Sequence, residues 1–227
     1  MLSESVRQAD DYYLGRQDLQ NVRKAVDFLR AEVHKHPQDY EAWWRLSKSL
    51  CYLGRHTSEQ EEIKLLDEGI EAGKRAVRLE PRRAEGHFWL GANYGIEAEE
   101  RGPLRGLLLL GAIREQMELV AKLDPDYEQA AGRRTLARID YRAPFFKGGD
   151  KRRSIERLEE CLKRYPLDSL AMLYLADSLL AVGRRDEARE DLQTILSLCP
   201  DPQYGPELQE NQEDARAKLA GEFHSTT

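Results

Sequence analysis

The sequence predicts an all-α fold, a right-handed α-solenoid of stacked helical hairpins that ends in a capping helix. Three observations support this prediction. Prolines recur after helical stretches at intervals of 34 to 44 residues, the segments between them space their apolar residues as helices do, and small residues recur where two helices would touch. A repeat period of this order is typical of helical repeat proteins, in which each hairpin stacks on its neighbours.

Five prolines mark the ends of the repeats. They follow the segments HKH, RLE, KLD, KRY and SLC at successive spacings of 44, 44, 41 and 34 residues. Because proline lacks an N–H group and disfavours the α conformation of the residue before it, each proline predicts a helix end. Since stacked repeats have no independent boundary between them, we predict one domain over 1–227. The predicted hairpins span about 4–36, 38–80, 84–124, 127–165 and 168–199, and the capping helix spans about 206–221.

The last repeat, residues 167–200, shows the pattern most clearly. Leu173 and Ala176 lie on one face of a first helix, which Gly183 ends, and Ile195 lies on the apolar face of the second helix. This apolar spacing is the one expected of two packed helices.

The segment GHFWLGANYG places glycines inside a predicted helix, where each costs about 0.5–1 kcal/mol relative to alanine. We expect Gly91 to lie where the two helices of its hairpin approach closely, with Leu90 and Tyr94 filling the core beside it. Ser47 and Ala176 hold the equivalent position in their own repeats. A small residue is therefore kept at this contact even where it is not glycine.

These hairpins resemble the tetratricopeptide repeat (TPR) family. Four features together look like the T-component family of TRAP transporters, periplasmic repeat proteins associated with substrate uptake: the FWLGANYG helix, the loop APFFKGGD, the final repeat and the C-terminal segment DPQYGPE. The eukaryotic regulators of microtubule dynamics share a similar helical pattern. The resemblance implies a non-enzymatic scaffold that binds a protein or peptide partner, with an accessory role in solute uptake as its more specific form. The alternative is a homo-oligomeric structural protein assembled through its long helices, without a small ligand.

Composition argues against several functions. A formal net charge of -6 disfavours nucleic-acid binding, which relies on positive charge. No stretch approaches the ~20 apolar residues of a membrane-spanning helix, so we expect no membrane insertion. The N-terminal segment lacks the apolar core of a signal peptide. We therefore expect a soluble protein, cytoplasmic as the chain stands, or periplasmic if an export signal was removed.

Catalytic motifs are missing from the sequence. It contains no GxxxxGK[ST], HExxH, GxSxG or CxxC pattern. Three dispersed cysteines are too few for a disulfide framework. We therefore predict no enzyme activity, no cofactor and no metal site.

The function is predicted to lie in a concave groove lined by the first helix of each hairpin. Aromatic rings supply contact area and arginines grip carboxylates, so an extended peptide or a small organic acid suits such a groove. Arg134 and Arg138, four residues apart, share one helix face, and an anion must separate their charges. That anion is either an acidic side chain of the chain itself, such as Asp177 or Glu85, or a ligand carboxylate. The predicted groove residues are Trp44, Lys48, Phe88, Arg134, Arg138 and Tyr141.

Two apolar segments complete the set of candidates. A run of four leucines is apolar around the whole of a long helix, and it is either buried against the neighbouring long helix or forms an oligomer interface. Phe145 and Phe146 lie in a loop, and we expect them to fold back onto apolar surface. The candidate interface residues are Leu107, Leu108, Leu109 and Leu110.

Overall fold

All regular secondary structure in the described residues is helical. The computed structural model describes residues 2–201 and 203–223, and within these ranges it contains eleven α-helices and one short 3-10 turn. The all-α prediction and the expected number of helices are confirmed. The chain forms two compact units, Met1–Tyr127 (unit 1) and Glu128–Thr227 (unit 2). One domain over 1–227 stays a prediction.

Unit 1 contains three helical hairpins stacked in chain order. The helices begin and end within a few residues of the predicted hairpin bounds. They are α1 (Glu4–Leu14) and α2 (Leu19–Lys35), α3 (Tyr40–Arg55) and α4 (Glu59–Leu79), and α5 (Ala84–Glu100) and α6 (Gly102–Leu123).

Unit 2 contains two further hairpins and a terminal helix. The 3-10 turn Phe145–Lys147 lies between the helices of the first of these hairpins, and α7 begins at the last residue of unit 1. The helices are α7 (Tyr127–Arg142) and α8 (Lys151–Arg164), α9 (Ser169–Leu180) and α10 (Arg185–Ser197), and α11 (Gly205–Phe223).

Aspartates and prolines set many of the helix boundaries. Asp18, Asp39, Asp150 and Asp168 each accept a hydrogen bond from a backbone N–H in the first turn of the following helix, as in the 2.9 Å bond from Glu41 N to Asp39 Oδ1. Such caps satisfy donors that have no partner inside the helix. At the other end, α2, α4, α6, α8 and α10 stop two or three residues before the five regularly spaced prolines. The proline spacing therefore predicted these ends correctly.

The start of α7 departs from regular helix geometry. Glu128, Gln129 and Ala130 have φ values of 47°, 58° and 59°, in the left-handed region. Each such L-residue costs roughly 1–2 kcal/mol relative to the right-handed form. The guanidinium of Arg134 donates to the carbonyl oxygens of Glu128 and Gln129 at 3.4 and 3.3 Å. These bonds compensate part of the cost of the turn.

Each unit has its own apolar core between the helices. In unit 1, Val26 and Leu29 of α2 pack with Leu46 and Leu50 of α3, and all four side chains are buried. The core of unit 2 includes Leu158, Ala176, Leu192 and Ile195.

The predicted close contact at Gly91 is confirmed. A Cβ atom on Gly91 would lie 2.3 Å from Met117 Cε and 3.1 Å from Gln116 Cβ, both on α6, the hairpin partner of α5. The equivalent residue Ser47 is buried and donates a 2.8 Å hydrogen bond to the Gly69 carbonyl on its own partner helix, α4. Small residues at this position therefore let the two helices of a hairpin touch.

The predicted burial of the two loop phenylalanines was wrong, and the burial of the four leucines on α6 is only partial. Phe145 and Phe146 are 92% and 77% exposed, so they do not fold back onto apolar surface. Of the four leucines on α6, Leu109 is buried and Leu108 is 69% exposed. The helical twist explains the second result, because successive residues lie about 100° apart and only one side of α6 meets the rest of the unit.

We predict that Gly91→Leu lowers the free energy of unfolding by about 1–3 kcal/mol, because the added atoms overlap the buried Met117 side chain. Gly95 lies one turn further along α5, and a Cβ atom on it would have no atom within 4 Å. Gly95→Ala is therefore the control, and we expect it to stabilise the helix by up to ~1 kcal/mol. Urea denaturation followed by circular dichroism measures both effects. Equal midpoints for Gly91→Leu and the unmodified protein would show that the contact is not tight.

Candidate protein-interaction face

The side chains of α1, α3 and α5 form one face of unit 1, here called the α1–α3–α5 face. At one end of this face the rings of Tyr13 on α1 and Tyr52 on α3 meet edge to face, with centroids 5.8 Å apart. The guanidinium of the buried Arg16 lies 5.3 Å from the Tyr13 centroid and 6.0 Å from that of Tyr52. Both tyrosines are half-buried, so part of each ring remains accessible.

Lys48 lies at the middle of the α1–α3–α5 face, between aromatic rings of two other helices. Its Nζ atom is 4.4 Å from the Tyr13 ring centroid and 5.4 Å from that of Trp89 on α5. Aromatic faces attract cations, by roughly 0.5–1 kcal/mol at exposed sites. The rings therefore favour a position of the ammonium group between Tyr13 and Trp89.

A ladder of ion pairs crosses the other end of the face. The guanidinium of Arg45 on α3 bonds both carboxylate oxygens of Asp10 on α1 at 2.8 and 2.9 Å, and it bonds Glu41 Oε2 at 2.6 Å. It also lies 4.1 Å from the Trp44 ring centroid, and Trp44 Nε1 donates to Glu41 Oε2 at 2.8 Å. Trp44 is thus held by its neighbours while remaining half-buried.

The ladder continues to α5 through Arg83. This guanidinium bonds both Glu41 and Glu85, and Tyr40 Oη donates to Glu85 Oε2 at 3.1 Å. Burial alone would raise the pKa of Glu41, but the hydrogen bonds from Arg83, Trp44 and Arg45 outweigh it and lower that pKa below its usual value. Burial, together with the nearby Glu85 charge, raises the pKa of the Tyr40 hydroxyl. Glu41 is therefore held as a carboxylate and Tyr40 as a hydrogen-bond donor.

Phe88, the third predicted groove residue of unit 1, packs into an aromatic cluster. Its ring meets those of Trp89 and Tyr127 edge to face, with centroids 4.9 and 5.4 Å apart. Trp89 Nε1 also donates to Tyr127 Oη at 3.0 Å. The cluster fixes the first residue of α7 against α5.

In unit 2 the predicted arginines have partners within the chain. Arg138 Nη1 bonds Asp177 Oδ2 at 2.7 Å, and the guanidinium lies 5.1 and 4.5 Å from the ring centroids of Tyr141 and Tyr174. Lys218 on α11 bonds the other oxygen of Asp177 at 2.5 Å. The intramolecular alternative, with Asp177 as the partner, is confirmed for Arg138.

Arg134 is paired with Asp168, the N-cap residue of α9. The side chains are 12% and 4% exposed, so both charges are largely removed from water. Burial alone would lower the pKa of Arg134, but the Asp168 carboxylate outweighs it and raises that pKa. Arg134 Nη1 thus donates to Asp168 and to the carbonyl oxygens of Glu128 and Gln129.

Some residues of the α1–α3–α5 face could be predicted from the sequence, and others could not. Trp44 and Lys48 do share a face, and Tyr52, four residues beyond Lys48, was detectable from the same helical spacing. Tyr13 was not detectable, because nothing in the sequence indicates that α1 packs its tyrosine beside Lys48. Trp89 is half-buried beside the same lysine, and its position on this face likewise depends on how α3 and α5 pack.

A cleft of about 610 Å³ lies in unit 1, lined by residues of α2, α3 and α4. Its floor is apolar, with Val33, Leu46 and Ala72. On its charged rim Arg30 bonds Glu68 at 2.6 Å, and Arg75 and Arg78 also line the cleft.

The described residues contain no group of three or more His, Cys, Asp or Glu side chains arranged to hold a metal ion. None of the helices in the described part of the chain has the length and apolar character needed to cross a bilayer.

Family comparisons agree with this helical architecture. Residues 5–131 match the family described as Regulator of microtubule dynamics protein 1-3, over more than half of the chain. The chain belongs to this family. Residues 145–201, which include α8, α9 and α10, match a tetratricopeptide repeat model. The predicted membership of the TPR superfamily is thereby confirmed.

Solved structures show the same fold. The thermophilic TPR protein TTC0263 of Thermus thermophilus is 19% identical, with a TM-score of 0.68 over 94% of this chain and 97% of that one. PilW, described as a widely conserved type IV pilus biogenesis factor, is 16% identical, with a TM-score of 0.61 over 96% and 92%. MamA is 19% identical, with a TM-score of 0.52 over 90% and 95%. No curated protein sequence matches the chain significantly.

We predict that Arg134→Met lowers the free energy of unfolding by about 3–5 kcal/mol, because it leaves the Asp168 charge buried without its partner. Adding Asp168→Asn should recover part of this loss, since asparagine still caps α9 without carrying a charge. Arg133→Met, at the exposed neighbouring position, should change stability by less than ~0.5 kcal/mol. Chemical denaturation measures all three variants. If Arg134→Met and Arg133→Met unfold alike, the buried pair does not stabilise unit 2.

Proposed function

We propose that this protein is a non-catalytic interaction scaffold whose α1–α3–α5 face binds an extended segment of a partner protein. The observation that carries the proposal is the position of Lys48, held between Tyr13 and Trp89 on a face where several aromatic rings remain accessible. Rings offer large contact area with little side-chain entropy to lose, which favours peptide binding.

The charges on this face favour a segment that carries a carboxylate beside apolar side chains. Arg45 and Arg83 are engaged by Asp10, Glu41 and Glu85, so these groups mainly fix the shape of the face. The ammonium of Lys48 lies over the ring faces of Tyr13 and Trp89, and it places a positive charge on the same face. A ligand carboxylate at this point would make a charge-assisted hydrogen bond.

In unit 2 we assign Arg134 and Arg138 a positioning role rather than direct ligand contact. Arg138 holds Asp177, and through it Lys218 of α11, while Arg134 holds the start of α9 through Asp168. A ligand carboxylate would have to displace these intramolecular partners. A direct role in binding, for these arginines and for Tyr141, stays a prediction.

The family description and the sequence resemblance suggest particular partners. The family is described as regulators of microtubule dynamics, so assembled microtubules are a partner to test. An accessory role in a periplasmic solute uptake system, and with it membership of the T-component family, stays a prediction. Small organic acids therefore belong in the same binding screen as peptides.

We predict that Lys48→Ala weakens the binding of acidic, aromatic-containing peptides about tenfold or more, because it removes a charge-assisted contact of roughly 1.5–3 kcal/mol. Fluorescence anisotropy with labelled acidic, neutral and basic peptides, organic acids as competitors, and microtubule co-sedimentation measure the effect. Lys24→Ala is the matched control. Lys24 also lies over a tyrosine ring, at 5.2 Å from the Tyr12 centroid, but it is on α2 and outside the α1–α3–α5 face.

Binding that Lys48→Ala weakens and Lys24→Ala does not would support the proposed face. Equal binding by the two variants and the unmodified protein would exclude this face as the binding site. Thermal unfolding of each variant, followed by circular dichroism, separates a loss of binding from a loss of folding.

A second candidate function is self-association through α6, which was predicted from its four leucines. Leu104 and Leu108 lie one turn apart on α6 and are 74% and 69% exposed. Gly111 continues the same exposed side, and a Cβ atom on it would meet no atom within 4 Å. Two exposed leucines beside an open glycine would let another helix approach closely.

We predict that Leu104→Lys with Leu108→Lys produces a folded monomer from an oligomer of the unmodified protein, because lysines on this face repel each other across a symmetric interface. Leu109 is unsuitable for this test, since it is buried within unit 1. Light scattering at high protein concentration gives the molar mass, and circular dichroism confirms folding. A monomeric unmodified protein would contradict this candidate function.

A further inference from the structure

The turn between α7 and α8 projects two adjacent aromatic side chains into solvent. Phe145 is 92% exposed and Phe146 is 77% exposed, the highest exposed fractions among the large apolar residues of the described chain. Buried phenylalanine is the usual case, and an exposed pair indicates a surface that meets an apolar partner.

The backbone of this turn is held in place by hydrogen bonds. The N–H groups of Lys147 and Gly149 both donate to the Pro144 carbonyl, at 2.9 and 3.0 Å, and Gly148 N donates to the Phe145 carbonyl at 3.0 Å. Gly148 has a φ of 81°, a conformation that glycine adopts without strain. The turn therefore presents both rings on a backbone that needs no ordering at the moment of binding.

Side-chain contacts anchor the base of the turn to the rest of unit 2. Arg153 donates to the Gly148 carbonyl at 2.6 Å and to both oxygens of the buried Asp140, and Asp150 N donates to the Asp140 carbonyl at 2.8 Å. Asp150 itself caps α8 and accepts from the backbone N–H groups of Arg152 and Arg153. Asp140 is thus buried against internal partners, whereas Asp150 is exposed and caps α8.

Four exposed basic residues lie within six positions of the two phenylalanines in the sequence. None of the four side chains pairs with a carboxylate of the described residues, and Lys151 lies 6.0 Å from the Tyr141 ring centroid. The tip of the hairpin is therefore apolar and positively charged, in a chain whose net charge is -6. The four residues are Arg142, Lys147, Lys151 and Arg152.

We propose that this turn docks on the surface of an anionic lipid bilayer, with Phe145 and Phe146 inserted at the boundary between headgroups and acyl chains. Phenylalanines enter this boundary readily, and lysines and arginines beside them meet the anionic headgroups. The contact is peripheral, so it needs no membrane-spanning segment.

The shape and size of the tip favour a bilayer over a protein pocket. Two phenylalanine side chains offer about 300–400 Å² of apolar surface, well below the ~800 Å² that each partner buries in a typical protein interface. A bilayer needs no complementary shape, and its negative surface matches the excess of basic residues near the tip. A protein pocket would need its own acidic rim around a narrow apolar hole.

The experiment is a vesicle sedimentation assay with the full chain. One set of vesicles contains phosphatidylcholine with about one third phosphatidylserine, and the other contains phosphatidylcholine alone. We expect binding to the anionic vesicles, weaker binding to the neutral ones, and a decrease at high salt because salt screens the cations. Phe145→Ser with Phe146→Ser should lower the partition coefficient by about tenfold or more.

Matched control variants test the apolar contact and the charge contact separately. Leu167→Ser removes another side chain of unit 2 that is 71% exposed, and it should leave binding unchanged. Lys147→Gln with Lys151→Gln should weaken binding to anionic vesicles, whereas Lys35→Gln with Lys163→Gln removes the same charge elsewhere and should not.

Two outcomes would overturn the proposal. They are no binding of the unmodified protein to anionic vesicles, and equal binding by the double Phe variant and the Leu167→Ser control. Lys48→Ala should bind vesicles like the unmodified protein, so this result is independent of the proposed peptide face. Unchanged circular dichroism and melting temperature would show that the exposed Phe substitutions leave the fold intact.

Discussion

The close approach of α3, α4 and α5 around Ser47 is the contact on which the rest of unit 1 depends. The hydroxyl of this fully buried serine donates to the Gly69 carbonyl of α4, and Asn93 of α5 donates to both the Ser47 carbonyl and its Oγ atom. A Cβ atom on Gly73 would lie 3.0 Å from Leu90 Cα and 3.0 Å from Ser47 Oγ. A larger residue at Gly73 would therefore press against both α3 and α5. Unit 2 repeats the arrangement with different residues, since the buried hydroxyl of Ser154 donates to the Ala137 carbonyl and lies 2.9 Å from Ser178 Oγ.

This tight packing determines which side chains stay at the surface, where a partner could contact them. Aliphatic residues fill the space between helices, whereas the first-helix face of unit 1 carries aromatic rings that are only partly buried and ions that pair across helices. The Arg45–Asp10 and Arg83–Glu41 pairs each join two successive first helices. Partly exposed pairs of this kind add little stability by themselves. Their main effect is to fix the positions of Trp44 and its neighbours on the surface.

In unit 2 the Arg134–Asp168 ion pair is more deeply buried than these pairs of unit 1, and it holds backbone segments rather than surface rings. The Arg134–Asp168 pair holds the start of α9, and the same guanidinium contacts the left-handed turn at Glu128 and Gln129. Exposed groups instead concentrate at the α7–α8 turn, where Phe145 and Phe146 project from a rigid backbone. The two units therefore present different chemistry: aromatic rings and a ring-held lysine in unit 1, and a cationic apolar tip in unit 2.

The helical class, the hairpin lengths and the helix boundaries could be predicted from the sequence, because prolines, capping aspartates and apolar spacing act locally on the chain. The close contact at Gly91 could be predicted too, since a glycine among bulky residues in a helix is costly unless another helix touches it. Which side chains meet was settled by tertiary packing alone. The pairing of Arg134 with Asp168 and the position of Lys48 beside Tyr13 depend on residues that are distant in the sequence, and the exposure of Phe145 shows that no other helix in the described part of unit 2 covers the α7–α8 turn. A local pattern shows that a side chain is apolar or charged, but its partner is set by how the helices stack.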